Sequence, residues 1–347
     1  MTDRLDRLGA SLEEPLLVTN PVNVHYLAGF ESSNAALLVE PERVRLFTDF
    51  RYIEAARATV TDVEIVQTKR DLIGWLAAEL TGHVGFEAAS LPYALYEALA
   101  AGKVELVPRV GLVERLRAVK DEAELAALRR ACAITDRMFE RLATEVRFVG
   151  RSELDVSWDI ARLFHEEGAE ELAFVSIVGS GPTGSQPHAR AGERTIGAGE
   201  LVVIDTGCRV GGYVSDYTRT FATGELASEL REAYDVVLAA QQAGLDAIRP
   251  GAPGRDVDAA ARRVIDDSPF AGTFGHGLGH GIGLDVHESP RLSPESTDTL
   301  VAGSVVTVEP GVYVGGRFGV RTEDDVVVAA DGIENLTGFR TELVVVS

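Results

Sequence analysis

Two β-rich runs joined by a pair of glycines restrict the possible folds of this chain more than any other feature. Leu201–Val210 and Tyr213–Ala222 are separated by Gly211-Gly212, a connection typical of a tight β-hairpin. In such a hairpin Asp216 lies diagonally from Asp205 on the same face of the two strands. Diagonal neighbours have Cα atoms roughly 7–8 Å apart, a gap that one bridging ligand can span. The register therefore predicts that these two acids lie close together.

The position of Asp205 at the end of an apolar run indicates what the two acids do. Asp205 follows Leu201–Ile204, and a carboxylate in such surroundings is costly without a partner. The alternative is a pair of acids exposed to water on the hairpin face. The apolar context favours a metal site, in which a cation neutralises the carboxylates.

A second pair of acids, Glu309 and Glu323, flanks another glycine-containing turn. A two-residue turn at Gly315-Gly316 would place these glutamates on opposite faces, because side chains alternate along a strand. A three-residue loop, Gly315–Arg317, would place them directly opposite each other. A shared metal site requires the three-residue loop, or a bulge at Pro310.

One histidine completes the predicted ligand set. His280 lies in Gly275–Gly283, where the absence of side chains lets the backbone and a ligand approach closely. A phosphate cradle is the alternative for such a string, but this one contains two histidines and no lysine. One imidazole with four carboxylates suits a pair of divalent cations of intermediate hardness. The candidate metal ligands are Asp205, Asp216, His280, Glu309 and Glu323.

The loop Gly179–Arg190 matches G-x-G-x-x-G formally, but it does not predict a dinucleotide site. Pro182 follows the second glycine, and no helix opens there to hold a pyrophosphate. His188 is the more informative residue of this loop. A lone loop histidine is usually exposed to solvent, but four of the seven histidines, including His276 and His287, lie within one hundred residues.

Bulk properties exclude several classes of partner. The 347 residues carry 54 acidic and 33 basic side chains, and the formal charge of −21 argues against nucleic acid and anionic membranes. Two cysteines far apart in sequence, Cys132 and Cys208, indicate a reducing compartment. No signal-peptide pattern or long apolar run occurs. We therefore expect a cytoplasmic protein that binds neither nucleic acid nor a membrane.

The pattern of secondary structure divides the chain into two predicted domains. Residues 1–112 alternate six short apolar runs with three helical segments, as expected of an α/β layer. Charged amphipathic helices follow, with Asp121 and Ser152 as expected N-caps. We place the domains at residues 1–115 and 116–347. The second domain reads helix, helix, β-hairpin twice in succession, which indicates an internal duplication.

These motifs together resemble those of the pita-bread metallopeptidases, a family that includes aminopeptidase P, prolidase and methionine aminopeptidase. The resemblance rests on IDTG, SDYTRT, GHGIGLDVHE, VEPG and VRTED, which contain the five candidate ligands in order. In the first domain, Asn23–Phe30 and Thr48–Tyr52 resemble the proline-specific branch and creatinase. Creatinases do not keep the ligand set. The resemblance implies a creatinase-like α/β N-terminal domain followed by an α+β pita-bread catalytic domain with a pseudo-twofold duplication.

The resemblance also implies a role for each site residue. Asp205 is expected to chelate one metal, His280 and Glu309 the other, while Asp216 and Glu323 bridge both and a hydroxide between the metals acts as the nucleophile. His287 matches a position that polarises the scissile carbonyl, and Glu309 matches the acid and base. The candidate catalytic residues are Glu309, His287, His188 and His276. We expect His188 and His276 to line the substrate cleft, and Arg321 to support Glu323.

The function implied by this resemblance is removal of the first residue from peptides with proline in second position. The chain is accordingly expected to be an Xaa-Pro aminopeptidase of the aminopeptidase P type, with prolidase as the alternative within the class. A catalytically silent binding protein on the same fold and a creatinase-like hydrolase without metal are the alternatives outside it. Two divalent ions per chain are expected, manganese first, with zinc or cobalt as alternatives. The resemblance further implies a homodimer.

Overall fold

The computed structural model describes residues 2–347, so Met1, where the first predicted domain begins, lies outside the described residues. The chain divides into two compact units, of which the first ends at Arg117 and the second begins at Ala118. None of the helices within residues 2–347 combines the length and the apolar character that a membrane span needs.

The first unit is a six-stranded sheet with helices, in the strand order β4-β3-β2-β1-β5-β6. All six predicted strands and all three predicted helices of this region are present. The strands are β1 (Leu16–Val18), β2 (Ala35–Glu40), β3 (Arg43–Thr48), β4 (Glu64–Gln67), β5 (Thr81–Glu87) and β6 (Lys103–Arg109). The helices are α1 (Thr2–Gly9), α2 (Pro21–Ala28), α3 (Ile53–Thr59), α4 (Leu72–Glu79), α5 (Tyr93–Ala100) and α6 (Leu112–Arg117).

Helix α2 is absent from the sequence-based prediction, although its end signals are present. The Asn20 side chain accepts a hydrogen bond from the backbone N–H of Val22, Pro21 opens the helix, and Gly29 ends it at φ 64°. Five of its eight residues are buried, so it has no polar face to produce an amphipathic period. The capping residues were the usable signal.

The second unit contains four long helices and fourteen strands. The helices are α7 (Glu122–Glu145), α8 (Glu153–Glu166), α9 (Ser228–Ala247) and α10 (Gly254–Asp266). The strands are β7 (Glu171–Leu172), β8 (Ile177–Ser180), β9 (Leu201–Thr206), β10 (Cys208–Val210), β11 (Tyr213–Val214), β12 (Tyr217–Ala222), β13 (Gly279–Gly281), β14 (Glu288–Leu292), β15 (Val305–Val308), β16 (Gly311–Val314), β17 (Phe318–Arg321), β18 (Asp324–Ala329), β19 (Gly332–Asn335) and β20 (Val344–Val345). The predicted caps Asp121 and Ser152 both form capping boxes.

The predicted duplication corresponds to two halves, each with its own apolar core. In the first half, residues of α7 and α8 such as Phe139 and Ile160 pack with β9 and β12 around Val202. In the second half, residues of α9 and α10 such as Val237 pack with β15 and β18 around Val306. Each half therefore consists of a pair of helices against a mainly antiparallel sheet, as the expected pita-bread architecture requires. The exception is β20, which pairs with β12 in parallel.

Both hairpin registers that matter for the site are observed. In the first, Val210 pairs with Tyr213, and this register continues along β9 and β12. Gly211 and Gly212 both have positive φ, at 59° and 82°, as a two-residue hairpin turn demands. In the second, Val314 pairs with Phe318 across a three-residue loop. Of the two turns that the sequence left open, the structure therefore has the one that places Glu309 opposite Glu323.

The apolar pattern of Leu172–Val178 predicts a single strand before the loop Gly179–Arg190, and the structure differs in both segments. The apolar run is split between β7, which pairs with β10, and β8, which pairs with β9 in another sheet. One straight strand cannot pair with neighbours in both sheets, so the chain bends between β7 and β8. The segment predicted as a loop begins with the last residues of β8, which are followed by the 3₁₀ helix Gly181–Ser185. This helix is too short to hold a pyrophosphate.

The α8 cap provides a test of the helix boundary. The Ser152 hydroxyl accepts a hydrogen bond of 3.0 Å from the backbone N–H of Asp155. Ser152→Ala removes this acceptor and should lower the free energy of unfolding by about 1 kcal/mol. Ser157→Ala, within the same helix, is the matched control and should not destabilise. Equal urea midpoints for both variants would show that the cap contributes nothing.

Candidate metal centre

The five candidate ligands come from five separate strands or strand ends and meet in one cavity. Asp205 lies near the end of β9, Asp216 precedes β12, His280 is the middle residue of β13, Glu309 follows β15, and Glu323 precedes β18. All of them line a cavity of about 600 Å³ in the second unit. The first hairpin brings Asp205 and Asp216 together as the sequence predicted. The three-residue loop of the second hairpin decides the register of Glu309 and Glu323, which the sequence left open.

The distances within this group are those of a compact ligand set. His280 Nε2 lies 3.8 Å from Asp216 Oδ2 and 3.4 Å from Glu309 Oε1. Asp216, His280 and Glu323 each offer one ligand atom, all within 4.8 Å of one another. His280 Nδ1 lies 3.0 Å from the Gly281 carbonyl oxygen. That hydrogen bond assigns the proton to Nδ1 and leaves the Nε2 lone pair facing the acids.

Burial makes this concentration of negative charge unfavourable unless cations offset it. Burial, with the repulsion of neighbouring carboxylates, raises the pKa of Asp216 and of Glu323 well above their ordinary values. Burial likewise raises the pKa of Glu309 to about 8. The same effect lowers the pKa of His280 to about 4, so its ring is neutral at neutral pH. Neutral imidazole is the form that binds a metal.

Two carboxylate oxygens in this cavity have no hydrogen-bond partner among residues 2–347. They are Oδ1 of Asp205 and Oδ1 of Asp216, and both are buried. A buried oxygen without a partner costs free energy that a cation would recover. The unpartnered oxygens, four carboxylates and one neutral imidazole fit a pair of divalent ions, whose charge of +4 would match that of the four carboxylates.

The side chain of Arg321 brings a positive charge to this group of carboxylates. It is buried, and its Nη2 donates to Asp205 Oδ2. Its Nε donates to Thr218 Oγ1 at 2.8 Å, and that hydroxyl in turn donates to Glu323 Oε2 at 2.8 Å. The resemblance implied support for Glu323. The structure shows that this support passes through Thr218, while Asp205 is the carboxylate that Arg321 contacts directly.

The three further histidines predicted for the site line the same cavity. The ring of His287 lies edge-on to that of His280, with centroids 4.4 Å apart, and the residue is exposed. Burial lowers the pKa of His276 to about 4. The Tyr313 hydroxyl lies 3.0 Å from His276 Nε2 and accepts a hydrogen bond from Arg321 Nη1 at 2.8 Å. His188 is exposed at the cavity wall.

The glycines beside His280 are explained by contacts between strands. A Cβ atom on Gly279 would lie 2.0 Å from the Thr307 carbonyl oxygen, and one on Gly281 would lie 2.2 Å from that of Ser289. Strand β13 therefore fits between its neighbours only without side chains at these positions. The sequence predicted close approach of backbone and ligand. The structure adds that the approach is to neighbouring strands.

Sequence reasoning missed two residues that surround the ligands. Tyr313, on β16, has its hydroxyl within the Arg321 and His276 network described above, and no sequence signal marks it. Asp325 is buried, and its Oδ2 accepts a hydrogen bond of 3.1 Å from the backbone N–H of Asp216. A usable signal existed for Asp325, because it precedes Val326–Val328 just as Asp205 follows Leu201–Ile204.

Fold and site together define a metallopeptidase of the pita-bread type. Residues 126–330 match the model of metallopeptidase family M24, and residues 4–119 match that of the Creatinase/Prolidase N-terminal domain. The chain belongs to family M24, in its proline-specific branch.

Relatives with solved structures or assigned activities are similar over nearly the whole chain. An Xaa-Pro dipeptidase of Pyrococcus horikoshii is 32% identical over 337 residues, covering 96% of this chain and 95% of the relative. The structure of an Xaa-Pro dipeptidase from Bacillus anthracis matches with a TM-score of 0.94 at 36% identity and covers 99% of both chains. That of an X-Pro aminopeptidase from Thermotoga maritima matches with a TM-score of 0.89 at 32% identity, covering 98% of this chain and 100% of that one.

Removal of one predicted bridging ligand tests the metal centre. Asp216→Ala should abolish both metal binding and peptide hydrolysis, because Asp216 is expected to contact both ions. Calorimetric titration of metal-free protein with Mn²⁺ measures the first effect, and a peptide assay measures the second. Asp235→Ala, on α9 and outside the cavity, is the control. Hydrolysis that survives Asp216→Ala or chelator treatment would support a mechanism without metal.

The raised carboxylate pKa values predict how metal binding depends on pH. Without metal, Glu309, Asp216 and Glu323 hold protons more tightly in the folded than in the unfolded state. Their contribution to stability is therefore favourable at low pH and is lost as pH rises through their raised pKa values, about 8 for Glu309. Metal ions must displace these protons, so affinity should increase with pH. We expect Mn²⁺ to raise the melting temperature of metal-free protein more at pH 8 than at pH 6. An equal increase at both would contradict the assignment.

Proposed function

We propose that this enzyme is a metal-dependent Xaa-Pro dipeptidase, a prolidase, that hydrolyses the bond preceding a C-terminal proline. The observation that carries the proposal is a pair of arginines, Arg190 and Arg291, on the wall of the cavity that contains the metal ligands. Both are exposed, and neither side chain has an ion pair or hydrogen bond within residues 2–347. A dipeptide presents its free carboxylate close to the scissile bond, where such a cation can bind it.

The descriptions of the relatives support the same substrate class. The Pyrococcus and Bacillus anthracis relatives are Xaa-Pro dipeptidases, which favours the alternative of the sequence analysis over its first interpretation. Xaa-Pro aminopeptidase activity is retained as the second candidate, since the Thermotoga relative is an X-Pro aminopeptidase of very similar structure.

The chemistry assigns a role to each residue near the reacting atoms. Two divalent ions, when bound, would supply Lewis-acid polarisation of the scissile carbonyl and a water of lowered pKa. His287, which lines the cavity, would hold the carbonyl oxygen through a hydrogen bond. Glu309, which lines the cavity, would accept a proton from the attacking water and donate one to the proline nitrogen. Water oxygen thereby joins the carbonyl carbon as the carbon–nitrogen bond breaks.

Selectivity for proline has a physical basis in the same cavity. A bond preceding proline is a tertiary amide without N–H, so an apolar surface for the ring replaces the missing hydrogen bond. Phe174, Ile177 and Val286 provide apolar surface in the cavity wall.

Three further features belong to the proposal. We infer that the metals are manganese, with zinc and cobalt as alternatives, because carboxylates with one imidazole suit this group of ions. We also propose a homodimer, as the family resemblance implies. A cytoplasmic location is supported by two buried cysteines that form no disulfide, Cys132 and Cys208.

Comparison of two substrates separates the candidate activities. With Mn²⁺ present, Ala-Pro should be hydrolysed with a higher kcat/KM than Ala-Pro-Ala, because only the dipeptide places its carboxylate beside the arginines. A charge-assisted hydrogen bond contributes about 1.5–3 kcal/mol, so the preference should be roughly tenfold to a hundredfold. Faster hydrolysis of the tripeptide would instead identify an aminopeptidase.

A substitution connects that preference with the cavity wall. Arg291→Met should reduce kcat/KM for the dipeptide by roughly tenfold or more, with a smaller effect on the tripeptide. The matched control is Arg317→Met, on the loop between β16 and β17, where the arginine is exposed and pairs with Glu229. Equal losses for both substrates would show that Arg291 does not recognise the carboxylate.

A further inference from the structure

The two ligands expected to bridge the metals, Asp216 and Glu323, belong to different halves of the second unit. Strand β12, which follows Asp216, lies in the sheet β20-β12-β9-β8. Glu323 lies between β17, which pairs with β16, and β18, which lies in the five-stranded sheet. Each ligand is thus positioned by a different sheet. Contacts between the halves must therefore set the separation of the two carboxylates.

One side chain that connects the halves is Arg219, three residues after Asp216. Arg219 is 2% exposed. Its Nη1 donates to the Glu323 carbonyl oxygen at 2.6 Å, and its Nη2 donates to Asp324 Oδ1 at 2.8 Å. The remaining donors reach the carbonyl oxygens of Phe339, at 2.6 Å, and Arg340, at 3.1 Å. The guanidinium therefore holds the main chain of one bridging ligand from the strand that directly follows the other.

Asp324 connects the guanidinium of Arg219 with further residues of the second half. It is buried, and it accepts hydrogen bonds from Thr337 Oγ1 at 2.6 Å and from Gln241 Nε2 at 3.2 Å. The same Gln241 amide donates to the Val308 carbonyl oxygen at 3.3 Å, directly before Glu309. The Arg219–Asp324 ion pair is consequently joined to the strand end that carries a third ligand.

Reciprocal contacts run in the opposite direction. The carboxylate of Asp325, in the second half, accepts from the backbone N–H of Asp216 at 3.1 Å. The carbonyl oxygen of Thr218, in the first half, accepts from the backbone N–H of Glu323 at 3.1 Å. Each bridging ligand is thus held through its main chain by the other half.

We propose that Arg219, acting through Asp324 and the Glu323 carbonyl group, is a positioning residue that sets the separation of the bridging carboxylates and thereby the metal affinity. This inference rests on the proposed metal-dependent function. Neither Arg219 nor Asp324 lines the cavity, so neither contacts substrate or ions. A planar guanidinium with five fixed donors specifies a geometry that a lysine cannot reproduce. Residues that orient ligands in this way typically alter metal affinity 10- to 100-fold when substituted.

A buried ion pair that serves only stability gives a different expectation. Breaking it would lower the melting temperature of the metal-free protein but leave metal affinity unchanged in the protein that remains folded. Metal affinity measured well below the melting temperature therefore distinguishes positioning from stabilisation.

The test uses Arg219→Lys, which keeps the charge, and Asp324→Asn, which keeps the size. Metal-free wild-type and variant proteins are titrated calorimetrically with Mn²⁺ at a temperature where circular dichroism shows all of them folded. We expect both variants to bind Mn²⁺ roughly 10- to 100-fold more weakly than wild type. The matched control is Arg194→Lys, which removes a two-point contact with Glu200, at 2.6 and 2.9 Å, within a single half. It should bind Mn²⁺ as wild type does.

The outcomes separate this inference from the function on which it rests. Wild-type affinity in both variants would overturn the positioning role, as would an equal loss in Arg194→Lys. If Arg219→Lys does not fold, the affinity of Asp324→Asn decides the question. A wild-type protein that binds no Mn²⁺ would overturn the inference outright. A protein that binds Mn²⁺ but hydrolyses no Xaa-Pro dipeptide would contradict the proposed function alone, and weaker binding by the variants would still support the positioning role.

Discussion

The repulsion among four carboxylates enclosed in one cavity is the interaction on which the rest of this structure depends. Burial raises the pKa of Asp216, Glu309 and Glu323, so their convergence is unfavourable in the absence of cations. Only the folding of the surrounding sheets holds these groups together. The chain contributes one buried cation of its own, Arg321, which offsets part of the charge at Asp205. The remaining charge is what makes the cavity a site for divalent metals.

Two similar halves provide a means of holding such a group in place. Each half buries its own apolar core between a helix pair and a sheet, so each can position a ligand-bearing hairpin rigidly. The candidate metal centre then lies where the hairpins meet, and contacts between the hairpins set the separation of the ligands. Arg219 and Asp325 contact the main chain of the ligand that the opposite half carries. Main-chain contacts suit this task because they orient a ligand without competing for the metal.

The cavity that contains the acids is suited to a short peptide. Its wall combines apolar side chains, four histidines and three arginines, so one cavity offers surface for a proline ring, hydrogen bonds for a carbonyl oxygen and positive charge for a carboxylate. The family membership establishes a proline-specific metallopeptidase. The choice between dipeptide and longer peptide cannot follow from the fold, because prolidases and an aminopeptidase share it. The cationic side chains at the cavity wall are the determinant that we propose.

The sequence by itself determined the features that depend on neighbouring residues. The Gly211-Gly212 turn sets the register that brings Asp205 and Asp216 together, the caps Asp121 and Ser152 begin their helices, and the five ligand types and the family follow from motifs.

Tertiary structure alone decided the three-residue loop between Glu309 and Glu323, the split of the apolar run after Leu172, and the contacts of Arg219, Arg321 and Tyr313. The physical reason is the same in each case. A hairpin or a cap is specified by residues adjacent in sequence, whereas a buried guanidinium takes partners about one hundred residues away, and only the packing of two sheets determines which partners those are.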